Sequence, residues 1–368
     1  MKELRSIIKA YESIDFNTTK AALATVVRVE GSSYRRTGAR MLIMDNGNFL
    51  GGISGGCLEG DTLRRAQKAI FQNKPSIITY DTTQDDGHQI GVGLGCNGVI
   101  DVMITPIHAA DEANAVQLLS SIVTTRRPRV LVSIIGDEAN KDLLGKTFLY
   151  KNAEKLLEEF PEKEVAKLLQ QDTENCLETQ ESTTVSYLVN DQPLKMFVEV
   201  ILPATRLVIY GGNYDIYSLV QIATELGWDV TVVTNKAKAR KELFAVAEVL
   251  DIKGEIEPVI DAHTAVMLML HDYKTDFNNL QQIRTTTAAY IGLLGPRKRS
   301  EKIFNEMADM SIELNESDYQ RIYGPSGLDI GATTPEEIAL SIVAEIRAHF
   351  AGRKGMSLRL RKGTIYGN

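Results

Sequence analysis

Apolar residues recur along this chain with two spacings, three-to-four and two, and the change between them marks its elements. Leu4, Ile7, Ile8 and Tyr11 share one face of an opening helix. Residues 21–29 (ALATVVRVE) read as a buried strand. The runs 41–44 and 49–53 flank Asn46-Gly47, a pair that suits a tight type I′ hairpin. Leu63, Ala66 and Ile70 then place a helix over 57–72. Strand patterns follow at 76–80, 99–104 and 129–135, with a helix face at Ala115, Leu118, Leu119 and Ile122 between the last two. Residues 152–171 are patterned as a helix that Pro161 must break or kink. The polar, acidic stretch 171–182 reads as surface loop, with Cys176 a bystander. Strand-like runs at 183–190 and 194–201 complete this half.

After Pro203 the alternation becomes regular. Residues 206–210 (RLVIY) form a short apolar strand, and Gly211-Gly212 follow at once. Leu219, Ile222, Ala223 and Leu226 line a helix that Gly227 ends, and 229–233 is the next strand. Further strands fit at 265–270 and 290–294. Thr334-Pro335-Glu336-Glu337 is a capping box with proline at the first helical position. It starts a helix carrying Ala339, Ile342, Val343 and Ile346. Such alternation predicts a parallel sheet covered on both faces. The expected fold is α/β. An N-terminal α/β domain with a mixed sheet spans 1–202, a Rossmann-like doubly wound domain spans 203–350, and a basic tail spans 351–368.

Composition narrows the class. The 368 residues carry 41 basic and 48 acidic side chains, and the net charge of −7 argues against general nucleic-acid binding. No run of about eighteen apolar residues exists to span a membrane. The first residues have no signal-peptide pattern. Three cysteines, Cys57, Cys96 and Cys176, make no disulfide framework, which points to a reducing cytoplasm.

Unusual chemistry concentrates between Gly31 and Cys57. Arg35, Arg36 and Arg40 lie between Gly31-Ser32-Ser33 and Ser54-Gly55-Gly56-Cys57. A glycine pair ahead of a helix admits close backbone approach, and free first-turn N–H groups attract an anion. Cys57 at that positive end is favoured as a thiolate. A second glycine cluster, 91–98, carries Gly95 and Cys96.

In the second half the strand–glycine–helix–strand unit opens like a dinucleotide fold, but the fingerprint is damaged. Asn213 and Ile216 stand where the second and third glycines belong, and Thr234 replaces the ribose-binding acid. Asp215 near the helix start repels phosphate. NAD(P) is therefore not expected, although a nicotinamide-dependent oxidoreductase is the competing function. His271, after the 265–270 strand, lies at the carboxyl edge where such sheets bind ligands. The tail adds Arg353, Lys354, Arg359, Arg361 and Lys362 without an acid, a solvated end or a partner-binding arm.

Taken together, Gly38-Ala39-Arg40-Met41, Ser54-Gly55-Gly56-Cys57-Leu58-Glu59, Gly93-Leu94-Gly95-Cys96 and Tyr290-Ile291-Gly292-Leu293-Leu294-Gly295 resemble one family. Gly327-Leu328-Asp329-Ile330-Gly331-Ala332, ahead of Thr334, adds to the match. The family is that of the xanthine dehydrogenase accessory proteins, XdhC/CoxI. The resemblance implies a chaperone without turnover that binds the molybdenum cofactor (molybdopterin) and assists its sulfuration and insertion. The implied partners are a xanthine dehydrogenase-type molybdoenzyme and a cysteine desulfurase, and a homodimer is the default assembly. On this reading Arg35, Arg36, Arg40 and the N–H groups of Gly55 and Gly56 suit the cofactor's phosphate, with Ser54, Glu59, Gly95, Gly211, Gly212 and His271 as further cofactor-binding residues. Cys57 and Cys96 are the candidate metal ligands, either of them suiting a soft metal centre or a transferable sulfur. Two positions depart from the family: Gly211-Gly212-Asn213-Tyr214 replaces a G-x-G-H turn, and Cys96-Asn97-Gly98 replaces Cys-Gly-Gly.

Overall fold

A computed structural model describes residues 1–83, 98–137, 141–159, 163–363 and 365. The chain forms two compact units, Met1–Pro203 and Ala204–Ile365.

The first unit opens with α1 (Lys2–Glu12), β1 (Ala21–Gly31), β2 (Arg40–Met44), β3 (Phe49–Gly51) and α2 (Glu59–Gln72). There follow β4 (Ser76–Asp81), β5 (Gly98–Ile107), α3 (Ala115–Val123), β6 (Arg129–Asp137) and β7 (Thr147–Leu149). It ends with α4 (Ala153–Glu159), α5 (Lys163–Thr179), β8 (Thr183–Val189) and β9 (Gln192–Ile201). Two sheets result, in the orders β3-β2-β1-β5-β4 and β7-β6-β9-β8. Every pairing in them is antiparallel, where the sequence suggested a mixed sheet. The antiparallel arrangement lets each sheet keep distinct faces. Ala22, Ala24, Met41 and Ile43 pack on Ala66, Ala69 and Ile70 of α2. The alternate positions Leu23 and Leu42 pack with Ile7 and Ile8 of α1 and Leu119 of α3. Val27 and Met103 meet Ile135 and Phe197 where one sheet contacts the other.

Two local expectations change. Gly47 has φ +91°, but Asn46 is not left-handed, so this hairpin is not type I′. Met44 N–H instead bonds Asn48 carbonyl across a three-residue loop, and the glycine supplies its single left-handed residue. The type I′ geometry occurs at Asn190-Asp191, both with positive φ, between Val189 and its partner Gln192. The stretch read as loop at 171–182 is largely helix. Val165, Leu169, Thr173 and Cys176 form the buried stripe of α5, so Cys176 is a core residue. The helical spacing simply continues through polar sequence. Pro161, placed between α4 and α5 by number, lies outside the described residues.

The second unit contains β10 (Arg206–Tyr210), α6 (Ile216–Glu225), β11 (Asp229–Thr234), α7 (Leu243–Val246), β12 (Glu248–Asp251) and β13 (Thr264–Leu268). It continues with α8 (Tyr273–Ile283), β14 (Tyr290–Leu293), α9 (Arg297–Asp309), α10 (Glu316–Arg321), β15 (Ile322–Tyr323) and α11 (Pro335–Phe350). Its sheet runs β12-β11-β10-β13-β14-β15 and is parallel throughout. That is the doubly wound order, with its switch point between β10 and β13. Leu207, Ile209, Ala265 and Met267 face α6 and α11, while Val208, Val266 and Leu268 face α8 and α9. Burial on both faces explains the continuous apolar runs. The capping box at Thr334 and Glu337 forms as its sequence implies.

Candidate functional site

The loop before α2 is organised by its own acid. Glu59 Oε1 accepts the N–H of Ser54 at 2.8 Å and of Ile53 at 3.1 Å. Oε2 accepts the Ser54 hydroxyl in a short hydrogen bond and the Leu58 N–H at 3.2 Å. Burial pushes the Glu59 carboxyl up, but these bonds outweigh it and hold the group below the usual glutamate range. Ser54 Oγ in turn accepts from Gly56 N–H at 3.2 Å and Leu58 N–H at 3.1 Å. The helix proper starts at Glu59, with Leu58 as its N-cap. Of the Gly55 and Gly56 amides expected to hold an anion, that of Gly56 is thus engaged by Ser54 within the loop, and Glu59 is an internal latch rather than an outward-facing ligand.

Cys57 remains as the loop's open chemistry. Its Sγ donates to Ser54 Oγ at 3.4 Å, and the side chain is half-buried. With Ser32, Ser33, Tyr34, Thr82 and Gly98 it lines a narrow crevice. One wall is set by contact between backbones: Gly98 pairs with Gly31 at the end of β1, and Thr82 Oγ1 donates to the Gly98 carbonyl at 2.7 Å. A roomier cavity of about 430 Å³ lies toward the other end of β5, near Thr105 and His108, and has no thiol in its lining.

The arginines are deployed differently from the sequence expectation. Arg40 is 2% exposed. Its Nη1 donates to Glu199 Oε1 at 2.9 Å and to the Gly38 carbonyl at 2.8 Å, and Nη2 makes a short bond to Glu199 Oε2. This forked pair joins β2 of one sheet to β9 of the other, so Arg40 is not presented to a phosphate. Arg35 Nη2 reaches both carboxylate oxygens of Glu3 on α1, at 2.6 and 2.7 Å. Arg36 is exposed. Gly95 and Cys96 lie outside the described residues, so the expected two-cysteine ligand set is placed only at Cys57. Among the described residues no group of three or more His, Cys, Asp or Glu side chains is arranged to hold a metal ion.

At the carboxyl edge of the parallel sheet, His271 has φ +57° and its Nε2 lies 2.7 Å from Asp215 Oδ2. Asp272, the neighbour, instead caps α8 by accepting the Thr275 N–H at 2.8 Å. The partnership of His271 with Asp215 spans the switch point and has no sequence signal. Arg299, which follows Gly295-Pro296, pairs with buried Asp276 at 2.6 Å.

The glycine turn after β10 is filled from within. A Cβ on Gly211 would lie 3.0 Å from the Met269 carbonyl, and one on Gly212 would lie 2.1 Å from Thr234 Oγ1. The threonine that replaces the usual acid therefore packs directly on the second glycine. Gly212→Ala is expected to cost about 1–3 kcal/mol through overpacking. Thermal unfolding of Gly212→Ala and of the double variant with Thr234→Ala checks this, because the second change should restore most of the loss.

Two family models match the chain. Residues 207–346 match the XdhC Rossmann domain, and residues 17–81 match the XdhC and CoxI family. A protein of Bacillus subtilis (strain 168), named as a probable subunit of xanthine dehydrogenase, is 30% identical over 333 residues, covering 89% of this chain and 92% of its own. The molybdenum cofactor insertion chaperone PaoD of Escherichia coli (strain K12) is 22% identical over 89% of this chain and 82% of its own. A crystal structure from Bacillus halodurans, described as a xanthine dehydrogenase, superposes with a TM-score of 0.69 at 26% identity, over 95% of this chain and 96% of that one. No helix among the described residues is long and apolar enough to cross a membrane.

Proposed function

The chain belongs to the XdhC and CoxI family, and from that footing we propose that it is an accessory chaperone for the molybdenum cofactor. In this role it binds the cofactor as cargo, supports its sulfuration and passes it to a xanthine dehydrogenase-type molybdoenzyme in the cytoplasm. A cysteine desulfurase is the matching sulfur donor.

The observation that carries the reading is the half-buried thiol of Cys57 at a crevice, on a loop latched by Glu59. A thiol suits a soft metal centre. The exposed Ser32 at the rim of the same crevice can meet a polar edge of a pterin. The phosphate side fits less well, because Arg35 and Arg40 are engaged by Glu3 and Glu199. The cargo's anionic end therefore has no clamp from those two side chains, and its retention depends on the sulfur and the crevice. A nicotinamide reading finds little support at the Gly211-Gly212 turn, where Thr234 occupies the space and Asp215 adds negative charge.

The test is uptake of molybdenum cofactor by the purified protein, scored by pterin fluorescence after oxidation, together with activation of a cofactor-free molybdenum hydroxylase. Cys57→Ala is expected to lower retention by roughly tenfold or more, the scale of losses at metal sites. Wild-type protein that retains no cofactor at micromolar concentration removes the proposal. A Cys57→Ala variant that matures the client normally removes the role given to this thiol.

A further inference from the structure

Tyr34 is an aromatic residue that is 66% exposed, although it lines the same crevice as the Cys57 thiol. The ring lies over the backbone of Gly55. A Cβ built on Gly55 would stand 3.4, 3.6 and 3.7 Å from Tyr34 Cγ, Cδ1 and Cδ2, so the glycine lets the chain pass beneath the ring without filling the gap. Ser54, one residue earlier, is held by Glu59 at 2.8 Å, and Ser33, one residue before Tyr34, is buried. Both segments flanking the stack are thus anchored while the residue itself is left mostly in solvent. An aromatic face kept wet next to a ligand crevice is a surface for another flat ring.

We propose that Tyr34 is a stacking platform for a planar heteroaromatic ring, positioning it so that Cys57 meets the ligand's other end. The inference rests on the cofactor-chaperone reading and deepens it, since the ring is then the pterin of the cargo. Stacking needs a π face and no charge, so it compensates for the absence of a free Arg35 or Arg40 guanidinium at this loop. Recognition divides accordingly: the aromatic ring holds the organic part, the thiol holds the metal part, and each is separable by mutation.

The experiment titrates full-length protein with a fluorescent, fully oxidised, metal-free pterin and separately with intact molybdenum cofactor. Tyr34→Leu is expected to weaken the metal-free pterin about tenfold, the range of base–aromatic stacking losses, while Tyr34→Phe stays within about twofold of wild type. Cys57→Ser should leave the metal-free pterin's affinity unchanged and lower only that of the intact cofactor. Unchanged thermal unfolding of Tyr34→Leu guards against a folding artefact, as befits an exposed position. The platform is refuted if Tyr34→Leu binds both ligands as wild type does, or if wild type fails to bind the metal-free pterin. Wild type that binds intact cofactor with Tyr34→Leu unaffected leaves the chaperone reading standing and removes only the platform; wild type that binds neither ligand removes both.

Discussion

Replacing Glu199 by alanine is expected to remove about 3–5 kcal/mol of stability, read as a lowered urea midpoint in far-ultraviolet circular dichroism. The carboxylate is 6% exposed and its partner Arg40 is 2% exposed. Truncating one member leaves the other charged, buried and without its counter-ion, the most costly form of polar burial. The neighbourhood cannot relax readily. Gly38 has φ +84°, and a Cβ there would come within 2.6 Å of Glu199 Oε1. A Cβ on Gly51 would meet the Arg40 carbonyl at 2.4 Å. Gly38 thus leaves room for the Glu199 carboxylate, and Gly51 leaves room for the backbone of Arg40. Replacing both partners, as Arg40→Met with Glu199→Leu, should recover most of the loss, since a hydrophobic pair needs no counter-ion. A single-variant loss below about 1 kcal/mol would show that water reaches the pair and that the arginine is available for other work.

Gly98→Ala should cost about 3 kcal/mol, at the upper end of overpacking effects. A Cβ at this position would lie 2.4 Å from the Ser32 carbonyl oxygen and 2.6 Å from that of Glu30. Both obstacles are backbone atoms at the end of β1, so no side-chain rotation relieves the clash. Accommodation requires β1 and β5 to separate where Gly31 pairs with Gly98, and that separation opens the crevice beside Cys57. The variant is expected to lose stability and cofactor retention together. Gly60→Ala is the matched control: nothing lies within 4 Å of its added Cβ, and it sits in the first turn of α2. It should stabilise by about 0.4–1 kcal/mol by restricting the unfolded chain. If both glycine variants melt like wild type, the close approach of β1 and β5 is not a constraint in solution.

Most secondary structure was legible because periodicity is a local property. Leu4, Ile7, Ile8 and Tyr11 need only the turn of one helix to share a face, and 206–210 needs only its apolar run to be a buried strand. The failures have equally local causes. Polar residues between Thr173 and Thr179 masked a stripe that continues at helical spacing. Asn46-Gly47 carries the type I′ residues but occupies a three-residue loop, while Asn190-Asp191 adopts the two-residue form. Turn type depends on strand register as well as on the two residues at the tip.

The order of apolar and polar positions and the ordered glycine motifs determined the elements, the doubly wound second half and the family. Only the tertiary structure decided which polar groups were already engaged. Arg40 finds Glu199 across 159 positions, Asp215 finds His271 across 56, and Glu59 takes amides that looked ready for an external anion. Electrostatic pairing acts over a few ångströms in space and is indifferent to separation along the chain. A charge in sequence therefore states what a side chain can bind, and the fold determines what it has bound.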